Sequence, residues 1–506
     1  MTQFTSDDLT LIKQQGISLD TIENQVNNFK NGFPFAQLLD AATPQKGLIQ
    51  LDELTVKSYI EHFEVARLEN DIIKFVPASG AASRMFKHLF EFRENLENLT
   101  YVELVEKGKH KDAKIFFENI NQFAFWEDLS SLLENTNRAD KTEYAKACLD
   151  LLLQADGLAY ASLPKALLKF HRYENASRLA IEEHLVETAQ YATSKNNSAI
   201  LHFTVSPEHE ENFQEILETL KPKYEEIFKI KYDISLSTQK SSTNTIAVDI
   251  DNKPFRDLKN QLVFRPAGHG ALIENLNDLN ADLIFVKNID NVVTDIKREP
   301  TIIYKKALAG MGMQLQQKIF AHLRNLNNNS GIDEALQFIE NKLGLQLPEK
   351  IGESSFQERI QYAFQTLNRP LRICGMVKNV GEPGGGPFWV NKNDEQSLQI
   401  VESAEIDIEN PEQKKIMLEA THFNPVDLIC LTKDYQGRQF NLNQFVDHNA
   451  AFISEKSKDG KTLKAMELPG LWNGAMAFWN TIFVEVPLES FNPVKTVNDL
   501  LREMHT

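Results

Sequence analysis

Ile72-Ile73-Lys74-Phe75-Val76-Pro77 runs directly into Ala78-Ser79-Gly80-Ala81-Ala82-Ser83-Arg84-Met85, and from there into Phe86-Lys87-His88-Leu89-Phe90-Glu91-Phe92. The first stretch is short and apolar, which predicts a buried strand. The second is made of small residues and predicts a tight turn, and the third has helical spacing. Strand, small-residue loop and helix in this order are the usual opening of a nucleotide-binding α/β unit.

Upstream, residues from about Ser6 to Leu68 read as helical pieces broken at Gly32-Phe33-Pro34 and Thr43-Pro44. Downstream, a mostly helical stretch reaches about Asp156, with Trp126, Leu129, Leu132 and Leu133 at helix spacing. Strand patterns then recur at 199–205, 232–236, 245–249, 261–264 and 283–286, with helices expected at 207–220, 270–279 and 305–324. A second helical block spans about 331–367. Strands are expected again at 371–377, 398–401 and 428–432. The pattern is α/β with large helical insertions. It predicts a helical segment at 1–68, a core at 69–304 carrying an insertion at about 91–155, a helical insertion at 305–370, and the rest of the core at 371–506.

The 506 residues correspond, at roughly 150 per domain, to two to four domains. Hydrophobic residues make up 42% and charged residues 25%, with a net charge of −17. Such a balance supports large cores and argues against a general nucleic-acid binder, which needs a basic face. No basic-then-apolar leader opens the sequence, and no apolar run reaches the roughly 18 residues of a membrane helix. Cys148, Cys374 and Cys430 are isolated, as expected of reduced thiols in a cytoplasmic protein.

Several chemistries fail on spacing. No GxGxxG, GxSxG, HExxH or paired CxxC occurs, and Gly460-Lys461-Thr462 has Glu455 where a P-loop needs glycine. Ser206-Pro207-Glu208-His209-Glu210-Glu211 reads as a helix start with acids in its first turn rather than as a metal cluster. Five other segments carry chemistry. The loop with Gly80, Ser83 and Arg84 lets backbone N–H groups approach a phosphate and adds a guanidinium fork, with Lys87 nearby. Lys165 follows a proline in the apolar stretch 157–171. Arg265-Pro266-Ala267-Gly268-His269-Gly270 lies between a strand and a helix, with two glycines permitting close approach of a flat base. Asn288-Ile289-Asp290-Asn291 ends a strand, where α/β proteins bind ligands. Asp290 suits Mg²⁺, and Asn291 suits a hydroxyl or ribose. Lys495, in Asn492-Pro493-Val494-Lys495-Thr496-Val497-Asn498-Asp499-Leu500-Leu501, stands at the mouth of a helix that Thr496 or Asn498 would cap. Taken singly, each also reads as an ordinary loop, Asx turn or helix start.

In order, RPAGHG, NIDN and NPVKTVNDLL resemble the nucleotide-sugar pyrophosphorylases, nucleotidyltransferases of which the UDP-glucose type is the most similar, with the chain as a divergent family of its own. The resemblance covers roughly residues 70–505. It implies a GT-A-like, Rossmann-related mixed sheet and transfer of a uridylyl group from UTP to a sugar 1-phosphate, with pyrophosphate leaving and Mg²⁺ bridging. By position it gives Gly80, Ser83 and Arg84 to the triphosphate, Lys165 as activating lysine, Gly268, His269 and Gly270 to the base, Asp290 to the metal, Asn291 to ribose or sugar, and Lys495 to phosphate. Asn424 and Asn473 fall on the sugar side. Nucleoside triphosphate and sugar phosphate are the implied partners. Nucleic acid and membrane are not.

The sequence departs from the family at the loop, where Ser79-Gly80-Ala81-Ala82-Ser83-Arg84 replaces two glycines. It departs again at the lysine, which follows after about eighty residues instead of about ten. Lys87 is therefore an alternative to Lys165. For Glu382-Pro383-Gly384-Gly385-Gly386-Pro387-Phe388-Trp389 two readings stay open, a mobile lid over sugar and phosphate and a plain flexible loop. Two other readings stay open, a GT-A-like glycosyltransferase and a nucleotide-sugar-binding protein that has lost catalysis.

Overall fold

Ile72–Pro77 is a strand whose first five residues are buried. It pairs in parallel with Ser198–Val205, Lys74 facing Leu201 and Pro77 facing Thr204. The short strand Thr193–Ser194 runs antiparallel to Ser198–Val205, and Lys231–Thr238 pairs with the same strand. In the computed structural model, which describes residues 4–106, 108–134, 136–381, 385–392 and 395–506, these strands belong to one of two compact units. That unit comprises Ile73–Ser237, Lys287–Ile303 and Leu488–Thr506. The other comprises Met1–Ile72, Thr238–Val286 and Tyr304–Pro487.

In the unit that begins at Ile73, the expected insertion is a group of helices, Lys87–Asn95, Tyr101–Glu106, Lys111–Glu118, Trp126–Leu132 and Lys141–Leu153. They enclose an aromatic core in which Phe116, Phe123 and Phe125 are fully buried, the last two rings stacked at 5.0 Å. Val494, Val497 and Leu500 join this core from the far end of the sequence. Helix Ala180–Tyr191 is buried almost throughout, although its sequence includes Glu182, Glu183, His184 and Glu187. Its charges are met inside the unit. Glu187 lies 2.7 Å from both Lys74 and Lys287, and Glu183 contacts Arg298 at 2.5 Å and His171 at 2.9 Å. Burial alone would raise the Glu187 pKa, but Lys287 and Lys74 hold it well below the ordinary carboxylate range.

The other unit has a mixed sheet in the order Leu48–Ile49, Asn480–Glu485, Leu371–Lys378, His422–Leu431, Leu283–Val286. Asn480–Glu485 is parallel to both its neighbours, and His422–Leu431 is antiparallel to both of its own. Leu38–Ala41, Gly386–Lys392 and Glu395–Val401 form a separate antiparallel sheet. The segment expected to be purely helical before residue 68 thus contributes two strands, together with helices Ser6–Gln14, Leu19–Asn31 and Glu53–Ala66. The last of these packs so closely on the long helix Glu299–Asn327 that a Cβ at Gly310 would lie 1.9 Å from the Tyr59 carbonyl oxygen. Asp459 and Gly460, both with positive φ, make the turn of the hairpin Phe452–Lys458/Lys461–Glu467, and Lys461-Thr462 opens its second strand, so Gly460-Lys461-Thr462 belongs to a hairpin. Pro207–His209 is a 3₁₀ turn leading into helix Glu210–Phe228, a helix start as expected. The expected terminal helix is two 3₁₀ turns, Val497–Leu501 and Glu503–His505. All three cysteines are free and buried. No helix among the described residues is long and apolar enough to cross a membrane.

Candidate functional site

The small-residue loop and Lys165 are neighbours in space. Ala81 and Pro164 form an antiparallel bridge, the Ala82 N–H donates to the Leu163 carbonyl at 3.1 Å, and the Lys165 N–H donates to the Gly80 carbonyl at 3.3 Å. The eighty-residue excursion therefore leaves and returns at one place, carried back by its own helical core. A Cβ at Gly80 would meet no atom within 4 Å, so the outer face of the loop is open. Ser83 and Arg84 are exposed in the 3₁₀ turn Ala82–Phe86, and Arg84 makes no ion pair among the described residues. Lys87 instead reaches along its helix toward Glu91 at 3.7 Å, with 79% of its side chain exposed.

Lys165 Nζ lies 2.7 Å from Asp290 Oδ2 and 2.7 Å from the Val494 carbonyl, with only 15% and 17% of the two side chains exposed. The Val494 N–H donates back to the Asp290 carbonyl at 3.1 Å. Asn291 brackets the same segment, its Nδ2 donating to the Ser490 carbonyl at 3.2 Å and its Oδ1 accepting from the Asn492 N–H at 2.8 Å. The Asn291 amide is thus spent on holding residues 490–494 in place. Lys495 is exposed, while its N–H and that of Thr496 donate to Asp499 Oδ2 at 2.8 and 2.6 Å. Below the strand end, His184 Nε2 donates to the Ile289 carbonyl at 3.1 Å. Burial and the adjacent Lys74 keep this imidazole neutral, its pKa well below the ordinary value. Gly80, Arg84, Lys165, Asp290 and Lys495 accordingly belong to one unit, whose strand end, loop and C-terminal segment are tied by backbone hydrogen bonds.

Among the described residues no three His, Cys, Asp or Glu side chains gather as a metal-holding group. Asp290 is a single carboxylate, which matches the way Mg²⁺ is held beside phosphates, by one or two carboxylates with the remaining ligands from phosphate and water.

The other unit holds the RPAGHG segment. Gly268 has φ +77°, and a Cβ at Gly270 would lie 2.1 Å from the Pro469 carbonyl oxygen, so both positions exclude a side chain. The His269 ring stacks on Trp472 at 4.2 Å with planes 10° apart. Its Nδ1 accepts from the Leu471 N–H at 3.0 Å, and its Nε2 lies 3.6 Å from Glu402. The ring beside it lowers the Glu402 pKa, whereas burial and the Glu402 charge push the Glu405 carboxyl up to about 7. Asn473 is 2% exposed, its Nδ2 3.4 Å from Glu405 Oε2. Asn424 is buried in its strand, with Nδ2 on the Gly375 carbonyl at 3.3 Å and Oδ1 on the Val426 N–H at 3.0 Å, leaving its amide occupied by backbone. Glu402 and Glu405 escaped the sequence reading because Val401-Glu402-Ser403-Ala404-Glu405 is an unremarkable acidic turn until Glu395–Val401 places it beside His269 and Asn473. Part of the triple-glycine stretch, Glu382, Pro383 and Gly384, lies outside the described residues. Gly386–Trp389 is strand.

These features define a mixed α/β protein with a loop, lysine and carboxylate cluster in one unit and a glycine–histidine platform in the other. The chain belongs to the family described as Domain of unknown function (DUF4301), whose model matches residues 5–506. It is similar to several solved structures. One is a UDP-glucose pyrophosphorylase from Leishmania major, at 12% identity over 99% of this chain and 79% of that one, with a TM-score of 0.44. Another is a UDP-glucose phosphorylase from Trypanosoma brucei, at 12% identity over 98% and 77%, with a TM-score of 0.44. A third is a uridine diphosphate N-acetylglucosamine pyrophosphorylase from Trypanosoma brucei, at 11% identity over 96% and 74%, with a TM-score of 0.46. No curated protein matches it in sequence.

Proposed function

We propose that this protein is a nucleotidyltransferase that moves a uridylyl group from UTP to a sugar 1-phosphate and releases pyrophosphate. The observation that carries this reading is the return of Lys165 to the Gly80 loop, where it meets Asp290 and the segment bearing Lys495. In such a reaction a phosphate oxygen of the sugar 1-phosphate attacks the α-phosphorus, and the bond to pyrophosphate breaks. The protein's part is positioning and charge neutralisation. The open face of the loop and the exposed Arg84 would receive phosphate oxygens, Lys165 would move from Asp290 toward the developing charge, and Lys495 would add a cation. Asp290 would hold Mg²⁺, which supplies charge neutralisation between phosphates. The resemblance gives Gly268, His269 and Gly270 to the base, and the stacked His269–Trp472 pair supports a flat partner beside them. The test is pyrophosphate release from UTP and Mg²⁺ with a panel of sugar 1-phosphates. Release that needs one sugar phosphate and is lost in Arg84→Ala supports the transferase. A second reading, a nucleotide-sugar-binding protein without turnover, is favoured by one observation, the engagement of Lys165 by both Asp290 and the Val494 carbonyl. Binding of UDP-sugars with no release would select it.

A further inference from the structure

His505 is 2% exposed, and His171, in the strand Lys169–Arg172, is fully buried. The two rings meet with His171 Nε2 2.9 Å from His505 Nδ1 and their centroids 5.2 Å apart. On its other side His171 Nδ1 lies 2.9 Å from Glu183 Oε1, to which the Tyr173 hydroxyl also donates at 2.8 Å. Arg298 and Arg178 donate to Glu183 Oε2. This carboxylate therefore accepts on both oxygens, and His171 Nδ1 carries a proton. The segment that ends in His505 is fastened beside the pair, with the Thr294 N–H donating to the Met504 carbonyl at 3.2 Å and Lys297 paired with Glu503. The same segment presents the Val494 carbonyl to Lys165 and the Val494 N–H to the Asp290 carbonyl.

Only one proton fits between the facing nitrogens, because two N–H groups cannot point at each other. The closed pair thus holds at least one proton fewer than two separated imidazolium rings. Burial, followed by His171 and Arg502, pushes the His505 pKa down to about 3, although the Asn492 carbonyl favours its charged form. An imidazole free in water takes up its proton near pH 6.5. Closure is therefore at full strength above about pH 6.5 and weakens as the pH falls below it. The charged groups around the pair are anchored by partners. Burial would raise Asp295, but Arg178 and Arg298 hold it below the ordinary carboxylate range, and Lys297 does the same for Glu503. Burial and Glu183 hold the Tyr173 hydroxyl far above its ordinary value. On the segment itself, Arg502 pairs with Asp499 at 2.7 Å.

We propose that His505 is a positioning residue whose bond to His171 latches residues 488–506 in place, holding Val494 against Lys165 and Asp290, and that a further proton on the imidazole pair opens the latch. The latch is a property of the fold and goes beyond the transferase reading, since it holds whichever reaction the cluster serves. Opening takes up at least one proton, so its equilibrium constant rises about tenfold for each pH unit below about 6.5.

Hydrogen exchange of the full chain, followed by mass spectrometry from about pH 7.5 to about 5.5 and corrected for the intrinsic pH dependence of exchange, tests this. Peptides covering 491–497, which include the Val494 N–H bonded to Asp290, are expected to lose protection about tenfold over the last pH unit. They should regain it on return to the starting pH, while the strand Ser198–Val205 stays protected throughout. His505→Asn offers an amide in place of Nδ1 but takes no proton. It is expected to keep the protection of 491–497 and to remove its pH dependence. A melting curve shows whether it is folded, and His505→Gln is the second variant should it not be. Flat protection in the wild type overturns the latch, as does a loss that Ser198–Val205 shares, which would be global acid unfolding. A loss confined to residues 503–506 overturns the positioning role. A pH dependence that survives in a folded variant overturns the assignment to His505. Each of these results leaves the transferase reading to its own test, pyrophosphate release.

Discussion

Replacing Lys165 with methionine tests the cluster it forms with Asp290 and the Val494 carbonyl, because Met keeps the length and removes the charge. The ammonium lies 2.7 Å from Asp290 and 2.7 Å from the Val494 carbonyl. With 15% and 17% exposure, the pair falls between two limits. An exposed ion pair is worth about 0–1 kcal/mol, whereas breaking a fully buried one costs about 3–5 kcal/mol. Losing the bond to the carbonyl adds about 1 kcal/mol. A destabilisation of about 2–3 kcal/mol follows, and for a unit of this size each kcal/mol lowers the melting temperature by roughly 2–4 °C. Scanning calorimetry is therefore expected to show one transition lowered by roughly 5–10 °C. The double variant Lys165→Met/Asp290→Asn is expected to melt above the sum of the single effects, with a coupling of about 0.5–3 kcal/mol, since the second change removes the orphaned carboxylate. Pyrophosphate release should fall by about 10²–10³-fold, as for loss of one preorganised charge donor. Additive melting shifts would refute the pairing. Full turnover in a folded Lys165→Met would remove the lysine from the chemistry whatever its structural role.

Gly270→Ala places a Cβ 2.1 Å from the Pro469 carbonyl and 2.8 Å from that of Leu468. Overpacking against backbone is expected to cost about 1–3 kcal/mol, read as a lower melting temperature and weaker UDP-sugar binding together. Glu187→Gln leaves the buried Lys74 and Lys287 without their shared counter-ion. A loss of about 3–5 kcal/mol is expected in denaturant unfolding. Glu405 has a folded-state pKa of about 7 against an ordinary 4.5, so the folded protein holds the extra proton between those values and loses stability as pH rises through that window. Glu405→Gln is expected to flatten this slope and to stabilise the protein above pH 7 by roughly 1–2 kcal/mol, measured by urea unfolding at a series of pH values.

What was legible in the sequence followed from local pattern. Leu283–Val286 is four apolar residues between Asp282 and Lys287, and Ile72–Pro77 is set off by Asp71 and the small-residue loop, so both strands fall at their expected bounds. Helix Ala180–Tyr191 was not legible. Four charged or ionisable residues in its first eight positions read as a solvated surface, and only partners such as Lys74, Lys287 and Arg298, about a hundred residues away, allow it to be buried. His422–Leu431 is buried at all ten positions, but its Asn424-Pro425-Val426 stretch, with Val426 at φ 56°, obscures the period of two and hid the first half of the strand. In the site, motif order pointed to Asp290 and Lys165, whereas their pairing depended on the helical excursion closing on itself. Glu405 had no sequence signal, because burial beside Glu402 is what sets it apart.

The shared core of the helical insertion and the C-terminal segment bears on how the chain folds as it is made. Phe86, Phe92 and Leu149 are synthesised early, yet Val494, Val497 and Leu500 complete their packing. Between Ile303 and Leu488 the ribosome makes a long part of the other unit, which takes roughly 10–40 s at typical synthesis rates. Throughout that interval the nascent insertion carries an open apolar seam, and Lys165 lacks its Val494 carbonyl. The cluster of Lys165, Asp290 and the Val494 carbonyl is complete only when residues 488–506 arrive, so a message cut short before them yields a product with an exposed core and an incomplete cluster.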